Sequence, residues 1–372
     1  MGSEAIPLAF CGDVMTGRGI DQIMPHPCAP ELHEDYARSA IEYLAMAESR
    51  NGAIPRSVEP AYIWGDALAE FDRVRPAARI INLETSVTVS EDYAAKGINY
   101  RMNPANLGCI AAAKIDCCVL ANNHVLDWGR SGLDETVHSL RSADIPTAGA
   151  GSDATEAWHP CIIEREWGRV LVFACAAGDS GVPNDWAATA STSGVALLEN
   201  FSDDAAAQLT ARIRAMRQQS DIAVLSIHWG GNWGYPIPSA HRQFAHALID
   251  HGAIDLIYGH SSHHRKAIEV YGNKPILYGC GDFINDYEGI GGYEKFRPEL
   301  VLLYFVGVDP VTHELASVEM APFKTCRFRL ERAGRSDAQW LANEWNREGK
   351  SGGTGVRLDR SDRLHLEWEQ RG

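Results

Sequence analysis

Residues 255–287 read DLIYGHSSHHRKAIEVYGNKPILYGCGDFINDY, and this stretch places ligand-type side chains directly after two short apolar runs. Each run, at 256–258 and at 275–278, is stopped by a glycine, which is typical of buried strands that end in loops. In open α/β sheets, ligands bind just outside the carboxyl ends of the strands. The sequence therefore predicts functional side chains at one edge of a sheet, namely His260, His263, His264 and Asp282.

The composition narrows the class of protein. With 372 residues and 45% hydrophobic content, the chain can bury a sizeable core in one large α/β domain or two small ones. The net charge of -15 argues against a nucleic-acid or anionic-membrane partner, because phosphate binding is driven by an excess of Lys and Arg. No membrane-span pattern and no signal-peptide pattern is visible. We therefore expect a cytoplasmic location, and the oligomeric state is left open.

The nine cysteines are scattered through apolar contexts without a CxxC pair, and their number is odd. This pattern is typical of reduced core residues and argues against both a disulfide framework and a structural zinc site. Cys11 and Cys280 flank proposed site residues, so we expect them to touch the site without binding a metal.

A buried strand that ends in polar side chains recurs along the chain. Apolar runs at 6–12, 78–83, 117–120 and 221–227 each lead into such side chains. Polar groups in these places are costly unless they are paired or liganded, so we expect them to meet on one rim of a sheet. The candidates are Asp13, Asn82, Glu84, Asn123, His124, Asp127, His228, His260 and His263.

Each candidate also has a purely structural interpretation. Asp13 could be a turn residue, and His228 could be a core imidazole with its hydrogen bonds satisfied. Trp229 and Trp233 could hold a peptide end or belong to the core. The repetition of the pattern at several strand ends favours function for His228.

The mixture of His, Asp, Glu and Asn donors suits a divalent metal, and Mn, Fe, Zn, Mg and Ca are all compatible with it. These donor types prefer different metals, and the residues alone do not select one. The predicted metal ligands are Asp13, Glu84, Asn123, His228 and His260.

Six ordered motifs resemble the CapA family, which is named for capsular poly-γ-glutamate synthesis and is related to calcineurin-like metallophosphoesterases. They are GDVMTGRG, INLET, LANNHVLDWG, AGAGSD, IHWGGNWGY and GHSSHHRKAIEVYGNKPILYGCGDFINDY, the last at residues 259–287. The resemblance implies an α/β fold of four layers, an αββα sandwich, with a metal-capable site at the strand ends. We accordingly expect a domain at 1–325 and a C-terminal extension at 326–372 that packs on it or is partly flexible.

The resemblance also assigns individual residues. Asp13 matches the first metal-binding Asp of the family, and Asn123 with His124 matches its Asn-His pair. Met15 stands where phosphoesterases have a His, and an element containing Glu84 replaces their second bridging Asp. The resemblance therefore implies one metal, or a weakly bound one, as readily as a two-metal centre.

Three functions follow from the resemblance. The leading hypothesis is a metal-dependent enzyme that hydrolyses or transfers a peptide or poly-γ-glutamate-type substrate by His and Asp acid–base chemistry. A branch of the family that includes a lasso-peptide epimerase implies the alternative, inversion of the Cα of a C-terminal peptide residue. The third is a non-catalytic accessory protein of polyglutamate synthesis. The predicted catalytic residues are Asp13, His124, Asp127, His228, His260 and His263, and the predicted substrate-binding residues are Arg18, Trp229, Asn232, Trp233 and Asp282.

Overall fold

The computed structural model describes residues 5–369, without the side chains of residues 350 and 351. In chain order, the strands are β1 (Ile6–Val14), β2 (Ala78–Leu83), β3 (Ser86–Val87), β4 (Arg101–Met102), β5 (Cys117–Val119), β6 (Thr147–Ala148), β7 (Ala150–Gly151), β8 (Cys161–Arg165), β9 (Gly168–Ala177), β10 (Gly194–Val195), β11 (Leu197–Leu198), β12 (Ile222–His228), β13 (Leu256–His260), β14 (Ile268–Tyr271), β15 (Lys274–Leu277), β16 (Asp282–Ile284), β17 (Leu300–Val308), β18 (Leu315–Cys326), β19 (Arg329–Arg332), β20 (Thr354–Leu358) and β21 (Leu364–Trp368).

The α-helices alternate with these strands. They are α1 (Ala40–Asn51), α2 (Ala67–Val74), α3 (Gly108–Ala112), α4 (Gly129–Ser142), α5 (Ala154–Ala157), α6 (Asp203–Met216), α7 (Ser239–Asp250) and α8 (Arg335–Glu348). In the described part of the chain, none of them has the length and apolar character that crossing a membrane would require.

The main strands form two sheets. The first has the order β20-β21-β18-β17-β1-β2-β5-β6, with β16 beside β1 and β19 beside β18. The second has the order β11-β9-β12-β13-β15-β14, with β8 beside β9. Strands β1, β2, β5 and β6 run parallel, and so do β9, β12, β13 and β15. Each sheet therefore gathers the carboxyl ends of its central strands along one edge.

The two sheets pack face to face through aromatic side chains. The ring of Phe10 in β1 lies against the ring of Tyr258 in β13, with a centroid distance of 5.0 Å. The Tyr258 hydroxyl donates to the backbone oxygen of Cys11 and accepts the backbone N–H of Asn82 at 3.2 Å. One phenol thus satisfies backbone groups of β1 and β2 across the interface.

Helices cover the outer faces of both sheets. On the second sheet, Leu225 of β12 packs with Leu209 of α6 and Phe244 of α7 in a separate buried cluster. On the first sheet, the guanidinium of Arg73 in α2 lies 5.8 Å from the ring centroid of Phe305 in β17. The layers follow the order helix, sheet, sheet, helix. This arrangement confirms the predicted four-layer αββα sandwich.

The residues after 325 continue the first sheet. Strand β19 pairs with β18, and β21 pairs with both β18 and β20. Helix α8 buries Ala338, Leu341 and Trp345. The division of the chain at residue 325 stays a prediction, and the described residues beyond it supply edge strands of the same sheet.

The phenol of Tyr258 tests how the two sheets are held together. We expect Tyr258→Phe to lower the free energy of unfolding by about 1–3 kcal/mol, because the buried Cys11 carbonyl and Asn82 N–H lose their partner. Urea unfolding followed by tryptophan fluorescence measures this loss. The control is Tyr271→Phe, whose hydroxyl donates to Asp250 at the surface and whose loss should cost under about 0.5 kcal/mol. Equal losses for the two variants would contradict the bridging role.

Candidate functional site

Strands β12 and β13 end in adjacent histidines. Their parallel register pairs His228 with His260, and the two Nδ1 atoms lie 2.7 Å apart. Both side chains are buried. Because parallel neighbours end at the same edge of a sheet, the two apolar runs deliver two imidazoles to one point.

Asp13 of β1 faces this pair from the other sheet. One ligand atom from each of Asp13, His228 and His260 lies within 4.8 Å of the others. Asp13 is fully buried, and its Oδ2 accepts the backbone N–H of Ser261 at 3.2 Å. Ser261 has a φ of 95°, a conformation that costs free energy in a non-glycine residue and tends to persist at functional sites.

The hydrogen bonds of the two imidazoles leave their facing nitrogens free to bind a cation. His228 Nε2 lies 3.2 Å from Asn123 Oδ1, which only accepts, so His228 Nδ1 carries the lone pair. His260 Nε2 lies 2.6 Å from Ser226 Oγ, which can accept in the same way. At 2.7 Å the two Nδ1 atoms can share a hydrogen bond when one is protonated, or bind one cation when both carry lone pairs. The donor set therefore fits a metal, while the predicted ligand role of Asn123 stays a prediction.

Carboxyl groups crowd the same point. The Asn82 amide donates to Asp13 Oδ1 at 2.8 Å and to Glu84 Oε2 at 2.9 Å. Burial, reinforced by the charge of Asp282, raises the pKa of Asp13 to about 7. Burial and the charges of Asp13 and Asp282 raise the pKa of Glu84 well above its ordinary value. A divalent cation would compensate this buried negative charge, and Asp and His are ligands that such cations accept.

His124 forms a dyad with Asp127 beside this cluster. The distance from His124 Nδ1 to Asp127 Oδ2 is 2.7 Å, and Asp127 also accepts from Lys96 Nζ at 2.8 Å and from the Tyr100 backbone at 2.6 Å. Burial lowers the pKa of His124 to about 4 although Asp127 opposes this, and the charge of Lys96 adds to the lowering. With its Nδ1–H donated to Asp127, His124 presents Nε2 as a basic nitrogen, 3.8 Å from Glu84 Oε1.

His263 forms a second dyad with Asp282. Its Nδ1 lies 2.9 Å from Asp282 Oδ1, and Asn285 donates to the other carboxylate oxygen at 2.8 Å. Burial favours the neutral imidazole of His263, but Asp282 outweighs it and raises the pKa of His263 above its ordinary value. His124 and His263 thus favour opposite protonation states, as a general base and a general acid do.

Two predicted substrate-binding residues, Arg18 and Trp229, are almost fully buried and bonded within the protein. The Arg18 guanidinium is 3% exposed, pairs with both oxygens of Asp286 at 3.1 and 2.6 Å, and reaches Glu34 at 3.0 Å. The Trp229 indole is 2% exposed and donates to the Tyr278 carbonyl at 2.9 Å. Arg18 is therefore an interior ion-pair residue and Trp229 belongs to the outer core, and a substrate-binding role for either stays a prediction.

The other three predicted substrate residues cluster around His263. Asp282 holds its imidazole, and the backbone carbonyl of Asn232 accepts its backbone N–H at 3.0 Å. The half-buried Trp233 has its ring centroid 5.4 Å from that of His263 and stacks on Tyr293 at 3.9 Å. Direct contact of these residues with a substrate stays a prediction.

Three residues of the site were missed by the sequence interpretation. Asn122 donates to Asn82 Oδ1 at 3.0 Å and orients the bridging amide. Ser226, the bonding partner of His260, is a polar residue inside an apolar strand, and that contrast was a usable signal. Lys96 lies in a loop without periodicity, so no pattern in the sequence marked it.

Comparison with known proteins identifies the family of this chain. Residues 7–287 match the family described as "Bacterial capsule synthesis protein PGA_cap". The chain belongs to this family. The match confirms the resemblance to CapA proteins, because the PGA_cap segment contains most of the strand-end motifs on which that resemblance was based.

Named relatives of this PGA_cap chain carry related descriptions. It is 44% identical over 367 residues, 97% of this chain and 95% of the relative, to the "Probable polyglutamine synthesis accessory protein" of Mycobacterium tuberculosis. It is 25% identical over 305 residues, 81% of this chain and 68% of the relative, to the "PGA biosynthesis protein CapA" of Bacillus subtilis. A solved phosphatase structure from Mycoplasma pneumoniae aligns with a TM-score of 0.47 and 12% identity, covering 90% of this chain and 96% of that one.

The lowered pKa of His124 gives this PGA_cap chain a pH-dependent stability term. A histidine with an ordinary pKa of about 6.5 when unfolded and about 4 when folded contributes stability that is lost as pH falls between these values. As pH falls over this range, we expect the free energy of unfolding of His124→Asn to fall by up to about 3 kcal/mol less than that of the wild type. Urea unfolding from pH 7 to 4.5, with a chelator present, measures the difference.

The matched control for this experiment is His138→Asn, which alters an exposed histidine of α4. This variant should keep the wild-type slope of stability against pH. An unchanged slope in His124→Asn would contradict the assignment of a buried, neutral imidazole.

Proposed function

We propose that this protein is a metal-dependent enzyme that hydrolyses or transfers a polyglutamate-type or peptide substrate. The observation that carries the proposal is the convergence of Asp13 from one sheet with His228 and His260 from the other, in a buried space that also contains Glu84. Hydrogen bonds satisfy these side chains individually but do not neutralise the buried carboxylates, and a bound cation would compensate that charge. Membership of the PGA_cap family and the names of the relatives supply the substrate class.

Asp13, His228 and His260 would hold the metal. A bound divalent cation supplies Lewis-acid polarisation of a substrate carbonyl and compensation of the negative charge that develops on its oxygen. Asn82 holds the carboxylates of Asp13 and Glu84 in position through its two N–H donors. Ordered partners of this kind fix ligand orientation and tune affinity.

The two dyads divide the proton transfers. His124, kept neutral by burial and oriented by Asp127, accepts a proton at Nε2 from the attacking group. His263, whose pKa Asp282 raises, donates from its Nε2–H to the leaving group. The pKa values of the two histidines are thus shifted in opposite directions, as a general base and a general acid in one site require.

A second candidate function is a non-catalytic accessory role in polymer synthesis. The relative that is 44% identical bears the name of an accessory protein, and this observation favours the candidate. In that case the same site would bind an acidic polymer without turnover. Epimerisation at a peptide Cα would use the same two dyads as opposed bases, and the experiment below distinguishes it through solvent deuterium.

His124→Ala tests the enzymatic proposal. We expect purified protein with Mn²⁺ to shorten or transfer γ-glutamyl oligomers, and the variant to lose about 100-fold or more of that rate because the general base is gone. Product analysis by mass spectrometry in D₂O follows both chain length and Cα deuterium. His138→Ala, which alters an exposed histidine, is the control and should keep the wild-type rate.

Each outcome of this experiment decides between the candidates. Cleavage that a chelator abolishes and His124→Ala suppresses supports the hydrolase or transferase. Deuterium uptake without cleavage assigns epimerisation instead. Saturable binding with neither product change contradicts the enzymatic proposal and leaves the accessory role.

A further inference from the structure

The guanidinium of a buried arginine outside the proposed catalytic machinery has no hydrogen-bond acceptor among the described residues. Arg265 follows the site histidines His263 and His264 and is 5% exposed. In the part of the chain that the structure describes, none of its Nε, Nη1 and Nη2 atoms has an acceptor. A guanidinium carries five N–H donors and a fixed positive charge, so burial without an acceptor is expensive.

A second unsatisfied donor lies against this guanidinium. The ring of Trp345 in α8 is 5.0 Å from the Arg265 guanidinium carbon, and the ring of Tyr235 is 5.3 Å away. Trp345 is fully buried, and among described residues its indole N–H also has no acceptor. Two aromatic faces stabilise a cation but accept none of its in-plane hydrogen bonds. The donors thus remain available to an anion.

Neighbouring acceptors of the protein are engaged elsewhere. Both oxygens of Glu344 bond the guanidinium of Arg347, one of them at 2.6 Å. The hydroxyl of Tyr304 donates to the Cys280 carbonyl at 3.1 Å. Among the described residues, the guanidinium of Arg265 therefore has the charges of Glu344 and Glu348 nearby but no acceptor that hydrogen-bonds it.

An open cavity of about 440 Å³ lies beside Tyr235. It is bounded by the loop after β12 and by α8, and its lining includes the cation Lys295, the ion pair of Arg347 with Glu344, and the rings of Phe296 and Trp340. Tyr235 belongs both to this lining and to the cover of Arg265, so the cavity and the buried guanidinium adjoin at this ring.

Aromatic side chains connect this cavity to the candidate catalytic site. The ring of Phe296 stacks on His264 at 4.4 Å and lies 5.2 Å from Trp233. Trp233 in turn lies 5.4 Å from His263. The cavity is therefore one layer of rings away from the imidazole of His263, a separation that neighbouring residues of one extended chain could span.

We propose that Arg265 and Trp345 form the inner end of a carboxylate-binding subsite for an acidic chain whose adjoining segment occupies the catalytic site. The identity of that acidic chain rests on the proposed function. A guanidinium fork matches the geometry of a carboxylate, and the indole N–H adds a third donor. Local cations of this kind are what a protein with a net charge of -15 needs to bind a polyanion.

Calorimetric titration with a γ-glutamyl oligomer tests the subsite, in a His124→Ala background so that the oligomer is not consumed. We expect Arg265→Met to weaken binding by on the order of tenfold or more, because the charge-assisted hydrogen bonds are lost. Trp345→Phe keeps an aromatic ring and removes only the N–H, and should weaken binding several-fold. An oligomer of γ-linked isoglutamine, in which α-carboxamides replace the free α-carboxylates, should bind as weakly to the parent as the γ-glutamyl oligomer binds to Arg265→Met.

The control is Arg212→Met, which removes an exposed guanidinium that lies 5.1 Å from the ring of Trp158. It should leave the oligomer affinity unchanged. Unchanged affinity in Arg265→Met would overturn the subsite and make Arg265 a core cation held only by the two rings. If that variant does not fold, unchanged affinity in Trp345→Phe has the same consequence.

Free acetate and inorganic phosphate distinguish the source of the anion. Either ion binding as tightly as the oligomer would overturn the assignment to an acidic chain.

The subsite and the proposed function can fail independently of each other. Loss of turnover in His124→Ala with unchanged oligomer binding in Arg265→Met leaves the function standing and removes the subsite. Weakened binding in Arg265→Met, together with no turnover in the wild type, supports the subsite and contradicts the proposed function.

Discussion

The parallel register between β12 and β13 is the constraint on which the site depends. It pairs His228 with His260 and so brings two imidazole nitrogens to 2.7 Å. A slip of one residue would turn either side chain to the opposite face of its sheet. Tyr258, two residues before His260 in β13, ties the same sheet to β1. Strand β1 carries Asp13. Sheet pairing and sheet packing therefore determine together whether the three ligand-type side chains meet.

That convergence has an electrostatic consequence for the whole neighbourhood. Asp13 and Glu84 are buried carboxyl groups; burial and the charge of Asp282 raise the pKa of Asp13, and burial and the charges of Asp13 and Asp282 raise that of Glu84. The Asn82 amide bridges them but cannot neutralise them. A divalent cation would compensate the buried carboxylate charge and bind the imidazole lone pairs. The dyads of His124 and His263 then flank a charged centre with groups that favour opposite protonation states, which links the architecture to acid–base chemistry.

The sequence allowed the strand ends to be predicted because each central strand is an apolar run that stops at a polar residue, and its resemblance to the CapA family implied the sandwich. It did not reveal which neighbours of those residues turn inward. Trp229 directly follows His228 and so projects to the opposite face, into the outer core, as the two-residue period of a strand dictates. The role of Arg18 depends on Asp286, which lies 268 residues away in the chain. Lys96 lies in an irregular loop, and only the tertiary structure brings it to Asp127.

The central claim is that Asp13, His228 and His260 bind one divalent cation. Electron spin echo envelope modulation of the protein loaded with Mn²⁺ tests this claim most directly, because imidazole ligands produce nitrogen couplings that water and carboxylates do not. We predict stoichiometric Mn²⁺ binding with coupling from two imidazoles, reduced to one in His260→Gln and unchanged in the exposed-residue control His138→Gln. Bound Mn²⁺ without nitrogen coupling, or coupling that His260→Gln leaves intact, would contradict the claim.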